Sequence, residues 1–238
     1  MGTFTLAELR TEVKAGLGNR TEFVSDNTRI DIWIHKAQTR IARRIRCPEL
    51  NVLEEHTATY TGTVATDKFI PFSALTNTNP RDILSVRVID GTESKKLRYV
   101  PFRLWDRRIP YPDSLTTGRP SHYTKFQKKL ELWRIPSQSY VYAIRMRTWP
   151  TALTAAGTAS DLDEKDDAII AMAKYYGFLS AGNTTGRNEA IAEFRDVIKD
   201  ARLEDLDEPD FDAVEPHVGG SQEVNEYWID PFVREMPG

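Results

Sequence analysis

The stretch Lys129-Leu130-Glu131-Leu132-Trp133-Arg134-Ile135-Pro136-Ser137-Gln138-Ser139-Tyr140-Val141-Tyr142-Ala143-Ile144-Arg145-Met146-Arg147 decides the fold. Leu130 and Leu132 alternate with Lys129 and Glu131. After the turn-prone Pro136–Ser139, Tyr140, Tyr142, Ile144 and Met146 alternate with Val141, Ala143, Arg145 and Arg147. A period of two puts one set of side chains on each face of a strand, so these are two strands with one apolar face apiece. Strands of that kind cover a core on one side and are usually antiparallel. Upstream, Leu84, Val86 and Val88 alternate with Ser85 and Arg87 and run into Asp90-Gly91, a hairpin signal. The whole stretch from Glu54 to Pro150 keeps this rhythm, and Phe102–Arg108 within it reads as a short helix.

On both sides the period changes to that of a helix. Thr5-Leu6-Ala7-Glu8 has the form of a capping box, and Leu6, Leu9, Val13 and Leu17 follow at helical spacing until Gly16 and Gly18. A second helix is expected to start between Ser25 and Thr28. Its stripe is Ile30, Trp33, Ile34, Ala37, Ile41 and Ile45, and Pro48 is expected to end it. After Asp161 the residues Ile169, Met172, Ala173, Tyr176 and Leu179 form a third stripe. Asp163, Glu164, Asp166 and Asp167 crowd its N-terminal turn, where the macrodipole favours acids. The loop Gly182–Gly186 leads to a fourth stripe of Ala190, Ile191, Phe194, Val197, Ile198 and Ala201, which implies an antiparallel helix hairpin. The expected fold is α+β: a bundle of about four helices with an antiparallel β-sheet or sandwich insertion and an extended C-terminal tail. By residue number, 1–50 with 160–202 form the bundle, 51–159 the inserted β domain and 203–238 an acidic docking tail.

The chain's 238 residues suffice for one large domain or two small ones. Its 40% hydrophobic and 28% charged content is ordinary for a soluble globular protein. No apolar run approaches a bilayer span and the first residues lack a signal-peptide pattern, so synthesis in a cytosol is expected, with no membrane partner. Cys47 is the single cysteine, so no disulfide forms within the chain, and a packed thiol is the expected role. Charge is unevenly placed. The tail from Leu203 holds eleven acids against one base, a charge of −10, which leaves +7 on residues 1–202 given the chain total of −3.

A search for chemistry finds little. His35, His56, His122 and His217 stand far apart, none in a metal-ligand spacing, and no cofactor motif is present, so no catalytic residue, metal or cofactor is assigned. Glu54-Glu55 are adjacent carboxylates of the kind common on surfaces. Two constellations carry more. Arg29, Lys36, Arg40 and Arg44 lie near one stripe of the second helix, with Arg43 and Arg46 close by. The helix dipole alone favours cations at its C-terminal end. The alternative is a partner surface, for an acidic segment of a neighbouring subunit or for nucleic-acid phosphates. The tail is the other. Its acidic first part does not fold alone and reads either as a solubilising extension or as a tether. Tyr227, Trp228, Ile229, Phe232 and Val233 favour the tether, because aromatic anchors dominate interface energy. Fully extended, the tail reaches about 120 Å.

Gly118-Arg119-Pro120-Ser121-His122-Tyr123, then Leu130-Glu131-Leu132-Trp133-Arg134-Ile135-Pro136 and Tyr140–Arg147, resemble the inserted β region of tailed-bacteriophage head-to-tail adaptor proteins, among them the podovirus tail tubular protein A type. The chain departs from that pattern at Arg134-Ile135-Pro136, where the proline usually follows the tryptophan sooner. Thr5–Leu9, Ile30–Ala37 and Asp167–Ile170 are similar to the family's helices, and the likeness covers residues 1–202. It implies a non-enzymatic structural connector in the virion neck, with twelve copies in a ring on the portal protein. That ring would be a platform for tail or nozzle proteins, with DNA passing its channel without sequence-specific binding. It also implies a C-terminal segment that extends onto the portal, the role in which the five residues from Tyr227 to Val233 would serve. Other readings of the same chain are a peptidoglycan-degrading virion enzyme and a nucleic-acid-binding module.

Overall fold

The computed structural model describes residues 4–20, 26–108 and 117–204. Five helices and eight strands are found there. In chain order they are α1 (Leu6–Gly16), α2 (Asn27–Arg44), β1 (Asn51–Ala58), β2 (Phe69–Pro71), β3 (Pro80–Asp90), β4 (Glu93–Lys96), β5 (Arg98–Tyr99), α3 (Phe102–Arg108), β6 (His122–Phe126), β7 (Lys129–Trp133), β8 (Tyr140–Thr148), α4 (Asp166–Ser180) and α5 (Thr184–Glu204). A single helical turn, Val64–Asp67, precedes β2. The fold is α+β, as the change of period indicates.

α1 begins where the capping box places it. The Glu8 amide donates to Thr5 Oγ1 and the Thr5 amide donates to Glu8 Oε2 at 2.7 Å, so two otherwise unpaired donors are satisfied. Asp26 caps α2 by accepting from the Arg29 amide. All six residues of the α2 stripe are buried. α2 stops at Arg44, with Ile45 already extended. Pro48 therefore acts on the next element, a 3₁₀ turn over Pro48–Leu50, and not as the terminator. α5 starts earlier than its sequence suggests, because Asn183 Oδ1 accepts from the Gly186 amide and draws the supposed loop into the first turn. The third stripe holds except at Leu179, which is 48% exposed near the end of α4. Of the four acids, Asp163 and Glu164 precede the helix, whose first residue is Asp166. Asp166 does more than complement the dipole. It is buried and accepts from the Phe4 amide at 2.9 Å, which pins the start of the chain to α4. Burial, opposed by that bond and reinforced by Asp167, Asp163 and Glu8, pushes its carboxyl above the ordinary range.

Leu6, Leu9, Val13, Ile30, Ile34, Ala37, Ile41, Ile169, Met172, Phe194 and Ile198 belong to one continuous helical core, which also encloses Cys47. The strands form two sheets, in the orders β1-β8-β3-β4 and β2-β7-β6-β5. Pairs are antiparallel except β5 with β6. The sheets face one another across a second core, to which Val86, Val88, Tyr142, Ile144 and Met146 contribute from one sheet and Ile70, Tyr123, Leu130 and Leu132 from the other. The hairpin between β3 and β4 turns on Gly91-Thr92, with Gly91 at φ +58° where a side chain would be strained.

Two details depart from simple alternation. Register shifts between Pro80 and Asp82 and between Ile83 and Ser85 mark irregularities in β3, so Val86 and Val88 face the core while Leu84 is 46% exposed. Glu131 is only 7% exposed, because α3 covers the outer face of its sheet. There Trp105 is buried with Val100 and Trp133, and Phe102 stacks on Phe126 at 4.3 Å. Burial pushes the Glu131 carboxyl upward, against Lys68, Trp105 and Lys129.

The irregularity in β3 makes a testable contrast. Leu84→Ala is expected to change stability by no more than about 0.5 kcal/mol. Ile144→Ala, which deletes a fully buried side chain, is expected to cost about 2–5 kcal/mol. Urea midpoints of both variants measure the difference, and equal losses would place Leu84 in the core.

Candidate interaction surface

The basic residues of α2 divide in two. Lys36, Arg40 and Arg43 line a hollow of about 210 Å³ together with His35, Thr39 and Tyr176. Positions 36, 40 and 43 recur at the helical period, so they lie on one face, and α4 supplies Tyr176 as the facing wall. Arg29 lies in the first turn of α2 and Arg44 at its last residue, and neither lines the hollow.

Aromatic rings hold the cations in place. Lys36 Nζ stands 6.0 Å from the Tyr176 ring centre, and the guanidinium groups of Arg43 and Arg81 each stand 5.4 Å from that of Trp149. Arg81 also donates to the Ala42 carbonyl, which ties β3 to the end of α2. Such contacts are worth roughly 0.5–1 kcal/mol each near a surface, enough to orient a cation without neutralising it. No acid lines the hollow among the described residues. Two nitrogens, Arg40 Nε and His35 Nδ1, are buried without a hydrogen-bond partner among the described residues. A concave site lined by three like charges is chemically suited to carboxylate or phosphate oxygens. Arg81, Trp149, Tyr176, His35 and Thr39 are not singled out in the sequence as parts of this surface. The spacing of 35, 36, 39, 40 and 43 does carry a signal, since it continues one polar stripe along α2.

The proposed docking residues Tyr227, Trp228, Ile229, Phe232 and Val233 lie outside the described residues, as does His217. His122 is a packing residue, buried on β6 with Nδ1 2.8 Å from Ser121 Oγ and its ring against Trp133. Among the described residues no group of three or more His, Cys, Asp and Glu side chains is placed to hold a metal ion. Nor is any helix there long and apolar enough to cross a membrane.

Glu54 and Glu55 sit on β1, whose alternation sends adjacent side chains to opposite faces, so they do not form a carboxylate pair. Glu54 has a structural use. It accepts from the backbone amides of Thr76 and Asn77, the latter at 3.1 Å, and from Asn77 Nδ2 at 3.2 Å. Burial pulls its carboxyl upward, but these donors outweigh it and hold the group below its ordinary value. A depressed acid stabilises the fold at pH above its unfolded value, and that contribution is lost as pH falls through the folded one. Glu54→Gln is therefore expected to cost about 1 kcal/mol at pH 7, with the gap from the parent protein closing as pH falls below ~4. Urea unfolding at pH 7 and pH 3 measures both; a gap of the same size at both pH values would contradict this role.

Bundle, sandwich and a cationic hollow are thus the parts that any identity has to explain. No curated protein matches the chain. A family match does exist: residues 4–215, which include every described element, match the SU10 adaptor proteins. The chain therefore belongs to the SU10 adaptor protein family, bacteriophage proteins with a structural, adaptor role in the virion.

Proposed function

We propose that this adaptor forms a ring at the virion neck, binds the portal protein on one side and offers a platform to tail or nozzle proteins on the other. Twelve copies around the DNA channel is the arrangement carried over from head-to-tail adaptors of the podovirus tail tubular protein A type. The protein then acts by shape and contact, without a reaction of its own. In this reading the helical bundle and the inserted sandwich are two units of the body, and residues 203–238 are its docking tail.

The observation that carries the reading is the division of charge. A body of +7 with a cationic hollow on α2 stands beside a tail of −10 in the same chain. Complementary fields of that kind steer association and fix which surfaces meet. In the assembled ring the basic face, Arg29, Lys36, Arg40, Arg43 and Arg44, meets the acidic segment of an adjacent copy or lines the DNA channel. Tyr227, Trp228, Ile229, Phe232 and Val233 anchor the far end of the tail on the portal or on a neighbour, since aromatic side chains supply the largest contact energies.

Co-sedimentation with portal rings from the same genome tests this. The full chain is expected to bind saturably with a fixed number of copies per ring. Deleting residues 216–238 is expected to leave the body folded by circular dichroism and to lower retention on the portal at least tenfold. A deletion variant that assembles like the full chain would remove the docking role from the tail.

A further inference from the structure

We propose that in the free subunit the hollow on α2 is occupied by carboxylates of the chain's own acidic segment, residues 205–215. The tail would then be strapped to the body before it reaches any partner. The hollow presents Lys36, Arg40 and Arg43 to one volume of about 210 Å³, with no acid in its lining among the described residues. Among the described residues the buried Arg40 Nε also lacks a hydrogen-bond partner, so its guanidinium charge is not neutralised from within the bundle. The occupant that fits is an anion small enough to enter the hollow, and a carboxylate is one.

The course of the chain supplies it. α2 runs antiparallel to α4: Lys36 lies over Tyr176, while Glu49, just past the end of α2, pairs with Lys165 at 2.9 Å. α5 returns along α4, with Lys174 and Glu193 paired at 2.6 Å, and then continues to Glu204 toward the Lys165 end. The last described residue is thus on the order of 15 Å along the bundle axis from the hollow, at ~1.5 Å per residue. Crossing from α5 past α4 to α2 adds two helix spacings of about 8–10 Å each. Beyond Glu204 the sequence Asp205-Leu206-Asp207-Glu208-Pro209-Asp210-Phe211-Asp212-Ala213-Val214-Glu215 holds six acids and no base. Extended, it spans about 36 Å, so its acids reach the hollow without strain. An intramolecular partner on so short a tether has an effective concentration in the millimolar range, which favours it over a separate molecule. Only the release of this strap on assembly rests on the ring proposed above; the contact itself does not.

Zero-length carbodiimide coupling of the dilute full-length chain at low salt tests the contact, with peptides mapped from the monomer band. Lys36 is expected to be joined to an acid among residues 205–215. Its yield is expected to fall several-fold at 0.5 M salt, where charge contacts are screened, and in the Arg40→Gln, Arg43→Gln double variant. Coupling of Lys174 to Glu193 serves as the internal control that the bundle is folded. If that control link forms but Lys36 joins no acid of 205–215, the strap is wrong. Coupling of Lys36 found only in a dimer band would assign the hollow to a second copy and overturn the intramolecular contact. Protection of Lys36 by a short DNA duplex, with no coupling to the tail in its absence, would assign it to phosphates instead. Portal co-sedimentation of the double variant separates the two proposals. Loss of the strap with retained portal binding removes only the present inference.

Discussion

The pairing of β1 with β8 is the constraint on which the rest of the structure depends. Eight consecutive residues, Asn51 to Ala58, face Arg147 to Tyr140 in unbroken antiparallel register. These are the first and last strands of the insertion, so their ladder brings the chain back beside the point where it left the bundle. Closing a loop of this length costs entropy that grows only slowly with its size, and the ladder fixes both ends at once. Everything nearby uses that return. Thr148 Oγ1 donates to the Leu50 carbonyl, Glu49 meets Lys165, and Gln38 reaches Ser160 at 2.9 Å inside the bundle. The segment before α4 also receives the start of the chain, because the Leu6 and Ala7 amides donate to the carbonyls of Thr158 and Ala156. α1 is therefore held to the segment leading into α4 by backbone bonds and packs on α4 itself through side chains.

That same closure places the cations. Arg81 belongs to β3, paired with β8, and Trp149 follows β8 directly; together with Arg43 of α2 they form a stack that bridges sandwich and bundle. Rings support Lys36 and Arg43, while Arg81 also pairs with Asp82 at 3.2 Å. An acid in Trp149's place would fix the geometry equally well but would cancel the field. A ring leaves the charge available, at the cost of mutual repulsion among Lys36, Arg40 and Arg43 that a bound anion relieves. The helix dipole accounts for bases at the end of α2, but not for Lys36, which stands two turns earlier.

How much of this was legible follows from which physical rule governs each residue. Stripes and alternation fixed the helices, the change of class at about Pro48 and the inward set of β8, because burial of a face is what periodicity records. Leu84 was misread since an irregular register in a strand leaves no mark on composition. Glu131 was misread since a strand covered on both faces can still look half polar when the cover, α3, comes from elsewhere in the chain. Leu179 was misread because a stripe says which face is apolar, not how far along the helix a neighbour extends. For the site, the cationic residues were legible on α2. The rings that hold the cations were not, since Tyr176 and Trp149 come from segments more than a hundred residues away, which the β1–β8 return brings near.

An adaptor has to hold a fixed shape and yet join parts made separately, and the chain meets those demands with different segments. The bundle and sandwich are closed by backbone pairing and two apolar cores, so their geometry is set before any partner is present. On the reading proposed above, affinity would rest instead on charge and on a few aromatic side chains at the far end of the sequence. Electrostatic contacts are strong at short range and readily exchanged, because one carboxylate can replace another at the same cation with little reorganisation. If the hollow exchanges one carboxylate for another, as proposed, the body would change partners without changing fold, as ordered assembly requires.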